Sequence, residues 1–131
     1  MFEAEKDKYL MKHGFGATRL KAVLFDMDGV LFDSMPNHAY SWSHAMTQFG
    51  LHITPEEAYM HEGRTGGGTI DLLAQRDWGR RATEEEKQTI YKAKSDVFSR
   101  CPEAPRMPGA YELLKKVKAD GFTPMVVTGS G

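Results

Sequence analysis

A single cysteine in 131 residues, Cys101, leaves no partner for an internal disulfide and too few thiolates for a cysteine-rich zinc site. No apolar run approaches the roughly 18 residues that a membrane-spanning helix needs. The opening stretch Met1-Phe-Glu-Ala-Glu-Lys-Asp-Lys is too charged for the apolar segment of a secretory signal. Charge of one sign is lacking as well: 17 Lys and Arg stand against 18 Asp and Glu, in no block of either. That balance argues against nucleic acid or an anionic membrane as partner. Internal repeats and low-complexity segments are missing too. These absences predict a soluble, cytoplasmic protein about one domain long, able to bury one modest core. The eight methionines are scattered rather than aligned and read as core filler, and Cys101, beside Pro102, reads as an incidental thiol.

What is present divides into three stretches. Residues 1–17 are polar, with Phe2, Tyr9, Leu10 and His13 at roughly helical spacing before Gly14 and Gly16, which predicts an N-terminal helix or arm. Residues 18–33 and 106–131 each carry a short apolar run, Leu20 to Phe25 and Phe122 to Val127. Both runs are apolar on successive residues, as buried strands of a parallel sheet are, and the helix between Ala110 and Asp120 would show Leu113, Leu114 and Val117 to that sheet. Residues 34–105 are helical in character. Ser34 can cap a helix with Pro36 in its first turn and an apolar face of Ala39, Trp42, Ala45, Met46 and Phe49, stopped by Gly50. Thr54 with Glu57, and Thr83 with Glu86, have capping-box spacing. Gly66-Gly67-Gly68 reads as a loop before a helix carrying Ile70, Leu73 and Ala74, and the helix after Thr83 would bury Ile90, Val97 and Phe98. Three prolines between Cys101 and Gly109 make a connector.

The chemistry gathers where the first apolar run stops, in Asp26-Met27-Asp28-Gly29. Open α/β sheets place their ligands at the carboxyl ends of their strands. Residues two apart in a strand point the same way, so Asp26 and Asp28 can converge on one site. Two carboxylates there can divide phosphoryl transfer between them, one attacking phosphorus and the other moving the proton. Such a site needs a hard dication between like charges, and oxygen ligands favour Mg²⁺. At the second strand end Thr128 offers a hydroxyl, and the amides of Gly129 and Ser130 can cradle phosphate oxygens.

The string Phe25-Asp-Met-Asp-Gly-Val-Leu-Phe-Asp33-Ser resembles the first motif of the haloacid dehalogenase superfamily, and Val126-Val-Thr128-Gly-Ser130 resembles its second. Asp33-Ser-Met-Pro-Asn-His38-Ala-Tyr-Ser-Trp42 is similar to the cap entry of the β-phosphoglucomutase-like branch. The resemblance covers residues 20–131 and implies an α/β fold: a Rossmann-like parallel-sheet core with an inserted helical cap. It implies Asp26 as nucleophile, Asp28 as acid/base, and Mg²⁺ held by the Asp26 side chain and the Asp28 main-chain carbonyl. It implies phosphate binding by Thr128, and a small phosphorylated metabolite, such as a sugar phosphate, as substrate of a phosphatase or phosphomutase. His38 and Arg64 are candidates for lining the site from the cap, although His38 also reads as an ordinary helix-surface residue; Asp33 reads equally as a structural turn residue or a functional one. The sugar-phosphate mutases carry a cap-loop arginine for a second phosphate. Counted from Gly63 that slot here holds Gly66, with Arg64 nearest, and a phosphatase needs no such clamp.

By the same resemblance, the family's phosphate-neutralising lysine and last metal carboxylates would lie beyond residue 131. The sequence therefore reads as the first part of a longer enzyme, with an incomplete core. The alternative is a catalytically incomplete phosphate-binding or partner-binding fragment. A calcium loop fails because Val30 stands where it needs an acidic or amide residue and Asn37 where it needs glutamate, and Gly63 to Thr69 lacks the lysine of a P-loop.

Overall fold

The computed structural model describes residues 2–16 and 19–129. Along the chain run α1 (Glu3–His13), β1 (Ala22–Phe25), α2 (Met35–Thr47), α3 (Pro55–Met60), α4 (Gly66–Asp77), α5 (Glu84–Phe98), α6 (Ala110–Ala119) and β2 (Thr123–Val126). The chain divides into two compact units, one formed by residues 1–31 and 106–131, the other by residues 32–105. No helix among the described residues is long and apolar enough to cross a membrane.

In the first unit β1 and β2 pair in parallel, Ala22 opposite Thr123 and Phe25 opposite Val126. Period-two alternation sends Val23 and Phe25 to one face, where Phe25 joins Leu31 and Val117 in a small core. Phe2, Ala110, Leu114 and Phe122 pack against that core. Phe2 and Phe122 stand with ring centroids 6.3 Å apart, which ties the start of α1 to the start of β2. The strands are shorter than the apolar runs, and the expectation of buried strands holds for Phe25 alone: Leu20 and Leu24 are exposed, as are Met125 and Val126. The sheet has two strands, and a helix covers one face of a sheet, not two. Leu113 is also exposed, while Val117 four residues on is fully buried and Leu114 half-buried, so the inward stripe of α6 runs through Leu114 and Val117.

The second unit is held by its own core of Ala39, Met46, Leu51, Ile53, Ala58, Ile70, Leu73, Ala74, Ala82 and Ile90. Full burial of a Leu, Ile or Met side chain is worth about 1.5–3 kcal/mol, and Met46, Leu51, Ile70, Leu73 and Ile90 are all in that class. α2 packs on α3 and α5, and α4 on α5. Both capping boxes form: the Thr54 hydroxyl accepts from the Glu57 amide and the Thr83 hydroxyl from the Glu86 amide, each answered by the glutamate. Ser34 takes the N-cap position of α2 with a helical backbone and makes no side-chain cap hydrogen bond, so the proline in the first turn carries more of that start than the serine. The unit's ends are neighbours, since the Asp33 amide donates to the Pro105 carbonyl at 2.8 Å.

The three glycines are not a loop. They form the first turn of α4, capped by Thr65, whose hydroxyl accepts from the Gly68 amide at 3.1 Å. The reason for glycine is local: a Cβ on Gly66 would stand 2.4 Å from Cε2 and 2.5 Å from Cδ2 of Tyr91. On α5 the buried residues are Ile90 and Lys94, in place of the expected Val97 and Phe98, which are half-buried.

Candidate active site

Asp26 follows the last residue of β1, and Thr128 stands two residues beyond the end of β2. Because Phe25 lies opposite Val126 and the Val127 amide donates to the Phe25 carbonyl at 2.8 Å, the two segments leave the sheet side by side at its carboxyl end. Asp26 and Thr128 are both exposed there. The Asp26 carboxylate is oriented by its own backbone, Oδ1 accepting from the Met27 amide at 2.7 Å. The chain then turns back. The Leu31 amide donates to the Met27 carbonyl at 2.9 Å, and Gly29 adopts φ +71°, a conformation that costs any residue with a Cβ. This turn holds Asp28 half-buried two residues from Asp26. Among the described residues, none beyond its chain neighbours comes within 4 Å of where a Cβ on Gly129 would lie. Ser130 lies outside the described residues.

The donor set at this end of the sheet is carboxylate and carbonyl oxygen. Among the described residues no group of three or more His, Cys, Asp or Glu is arranged to hold a metal. An all-oxygen donor set suits Mg²⁺, which keeps several of its waters, better than Zn²⁺, whose sites are mostly built on nitrogen and sulfur.

The remaining expected site residues belong to the second unit. Arg64 is exposed in the turn before α4, its amide donating to the His61 carbonyl at 3.1 Å. His38 is no ordinary surface residue. Its ring lies against Phe98, centroids 4.4 Å apart, and its Nδ1 is 2.9 Å from Nζ of Lys94. With the ammonium donating, Nδ1 accepts and the ring proton sits on Nε2. Lys94 is 6% exposed, its ammonium 4.7 Å from the Phe98 ring centre, 5.5 Å from that of Trp42 and 5.8 Å from that of Tyr91. Lysines are almost never fully buried unless paired, and here the His38 ring nitrogen and the aromatic faces are the partners. Sequence reasoning passed over Lys94, although its place four residues after Ile90 and four before Phe98 puts it on the buried stripe of α5. Trp42 packs against the unit's core, as its place on the apolar face of α2 predicts, and its ring also faces Lys94. The Asp33 amide closes the edge of the unit by its bond to the Pro105 carbonyl.

Three relatives frame this geometry. The chain is 30% identical over 119 residues to a phosphoglycolate phosphatase of Haemophilus influenzae strain 86-028NP, covering 85% of this chain and 52% of that protein. A solved structure from Bacteroides vulgatus, provisionally named a beta-phosphoglucomutase, superposes with a TM-score of 0.88 at 61% identity, over 95% of this chain and 51% of that one. A beta-phosphoglucomutase of Clostridium difficile shares the fold with a TM-score of 0.70 at 21% identity, over 82% of this chain and 51% of that one. The chain thus spans about half the length of the relatives it matches. Residues 20–131, from the lead into β1 to the second strand end, match the haloacid dehalogenase-like hydrolases, and the chain belongs to that family.

Proposed function

We propose that this protein carries the nucleophile half of a Mg²⁺-dependent phosphoryl-transfer site, acting on a small phosphorylated metabolite by phosphatase or phosphomutase chemistry through an aspartyl-phosphate on Asp26. The observation that carries the proposal is the emergence of Asp26 and Thr128 side by side at the carboxyl end of the parallel pair. The phosphoglycolate phosphatase and the beta-phosphoglucomutases among its relatives bear names that point to small phosphate esters, and a sugar phosphate fits the β-phosphoglucomutase-like likeness best.

In the first step an Asp26 carboxylate oxygen attacks phosphorus, the bond from phosphorus to the ester oxygen breaks, and Asp28 gives that oxygen its proton. In the second an acceptor, water for a phosphatase or a sugar hydroxyl for a mutase, loses its proton to Asp28 and attacks phosphorus, which frees Asp26. The Thr128 hydroxyl and the amides of Gly129 and Ser130 hold the phosphoryl oxygens. The Asp26 carboxylate and the Asp28 main-chain carbonyl would hold Mg²⁺, which offsets the charge between nucleophile and phosphate when bound. Residues 34–105 are proposed as the cap, with His38 and Arg64 as its candidate substrate-binding residues.

The test uses the chain joined in one reading frame to the remaining half of the Bacteroides vulgatus relative, called the completed protein below. Asp26→Asn should abolish its Mg²⁺-dependent hydrolysis of an aryl phosphate, since an amide neither attacks phosphorus nor binds Mg²⁺ well. Appreciable turnover by that variant would sink the assignment.

A further inference from the structure

Arg64 and His38, the two residues proposed to meet substrate from the cap, are linked within the second unit by one aromatic side chain. Tyr91 on α5 is half-buried and packs against the unit's core. Its ring centre lies 5.8 Å from the Lys94 ammonium, which reaches Nδ1 of His38 at 2.9 Å, and 6.1 Å from the Trp42 ring, edge on. The same ring lies on the first turn of α4: the three atoms nearest to a Cβ on Gly66 all belong to Tyr91. Arg64 stands two residues before Gly66, exposed, just after Gly63 with its φ of +83°. Local propensity does little to fix this stretch, because the glycines at 66, 67 and 68 are the weakest helix formers apart from proline. Two contacts hold it instead: the Thr65 hydroxyl, accepting from the Gly68 amide at 3.1 Å, and the Tyr91 ring on Gly66.

We infer that Tyr91 is a positioning residue for substrate recognition: its ring seats the Gly66 turn against α5 and so fixes where Arg64 stands relative to the His38–Lys94 pair. Tyr91 acts through Arg64 and by its ring, not by its hydroxyl. The group addressed is the hydroxyl-bearing end of a sugar phosphate, remote from the transferred phosphoryl group. A guanidinium offers a planar set of donors to such oxygens, and an aryl group has no acceptor to answer them. This role rests on the proposed function for the place of Arg64 at substrate, whereas the packing of Tyr91 on the turn stands without it.

The first arm of the test uses residues 1–131. Limited trypsin digestion reads the opening of the turn at the bond after Arg64, with cleavage after Lys92 in mid-α5 as the measure of wider unfolding. Tyr91→Leu should speed cleavage after Arg64 about fivefold relative to Lys92, and Tyr91→Phe, which keeps the ring, should not. The second arm follows consumption of β-glucose 1-phosphate and of an aryl phosphate by the completed protein. Arg64→Ala should raise KM for the sugar phosphate about tenfold, the worth of a hydrogen bond from a charged donor, and change kcat by less than about twofold. Tyr91→Leu should raise that KM about fivefold, more than it raises KM for the aryl phosphate, and Tyr91→Phe should restore the parental value. In the double variant the rise should equal that of Arg64→Ala alone, because Tyr91 acts through that residue. Effects that multiply in the double variant, a fall in kcat in place of a rise in KM, or equal rises on both substrates would overturn the inference. So would consumption of the aryl phosphate alone, or cleavage after Arg64 untouched by loss of the ring. Asp26→Asn is read separately: turnover by that variant would sink the nucleophile and leave the Tyr91 result standing.

Discussion

Asp28 sits two residues from Asp26 in a turn that keeps it half-buried, and its proposed work is proton transfer rather than attack. In the completed protein Asp28→Asn should keep the nucleophile while losing a factor of about 10² to 10⁴ in rate, the usual worth of a general acid/base. The loss should be greatest for sugar phosphates, whose leaving oxygen needs the proton, and least for an activated aryl phosphate. Equal losses on both substrates would make Asp28 structural. Gly66 gives a sharper steric case. Alanine in a helix is ordinarily better than glycine by about 0.5–1 kcal/mol. Here the new Cβ would meet two Tyr91 ring carbons at 2.4 and 2.5 Å, and overpacking of that kind costs about 1–3 kcal/mol. Gly66→Ala is therefore expected to lower the melting temperature, and Tyr91→Leu in the same chain to recover part of the loss. A Gly66→Ala variant as stable as the parent would mean the ring moves freely. At this scale the placement of Asp26, Asp28 and Thr128 just past two paired strands was legible because both apolar runs stop there. Lys94 was not, because a helical stripe is read by its apolar members and a buried cation breaks the pattern.

Among the elements, the helices of the second unit lean on surface ion pairs at their ends. The Arg80 guanidinium and then the Thr83 amide hold the Glu86 carboxyl well below its ordinary 4.5, at about 2. Arg76, followed by the His52 amide, does the same for Asp77, lowered from 3.8 to about 2. Both carboxylates bind protons less tightly when folded than when unfolded. Their stabilisation is present above the ordinary carboxylate range and is lost as pH falls through the folded values. Thermal melting followed by circular dichroism should decline between about pH 4.5 and 2, and Arg80→Ala should flatten that decline. A profile equally steep with Arg80→Ala would assign the loss to other groups. Both capping boxes were readable from spacing alone, because threonine then glutamate three residues on satisfies two orphan amides at once. The start of α4 was not readable. Three glycines disfavour helix by local propensity, and only the Thr65 cap and the Tyr91 ring, neither visible as a periodicity, set the first turn there.

At the scale of the whole molecule, the order of elements and the helical core of the second unit were legible, and the burial of the two strands was not. A strand apolar on successive residues signals cover on both faces, and the described chain supplies cover on one. Purified residues 1–131 are expected to show little or no Mg²⁺-dependent hydrolysis of an aryl phosphate, and to self-associate through exposed apolar surface when the other half is absent. Charge stabilisation in the transition state is commonly the largest single catalytic contribution, and two carboxylates with a threonine do not supply it alone. A monomer with efficient turnover would mean that cations such as Lys115 or Lys118 on α6 neutralise the phosphate instead. The central claim, that Asp26 takes the phosphoryl group, is tested most directly by catching the acyl-phosphate. The completed protein, acid-quenched during turnover and reduced with borohydride, should yield homoserine at position 26 and nowhere else on peptide mapping. Aspartate intact at position 26 under conditions of rapid turnover, or homoserine at position 28, would contradict it.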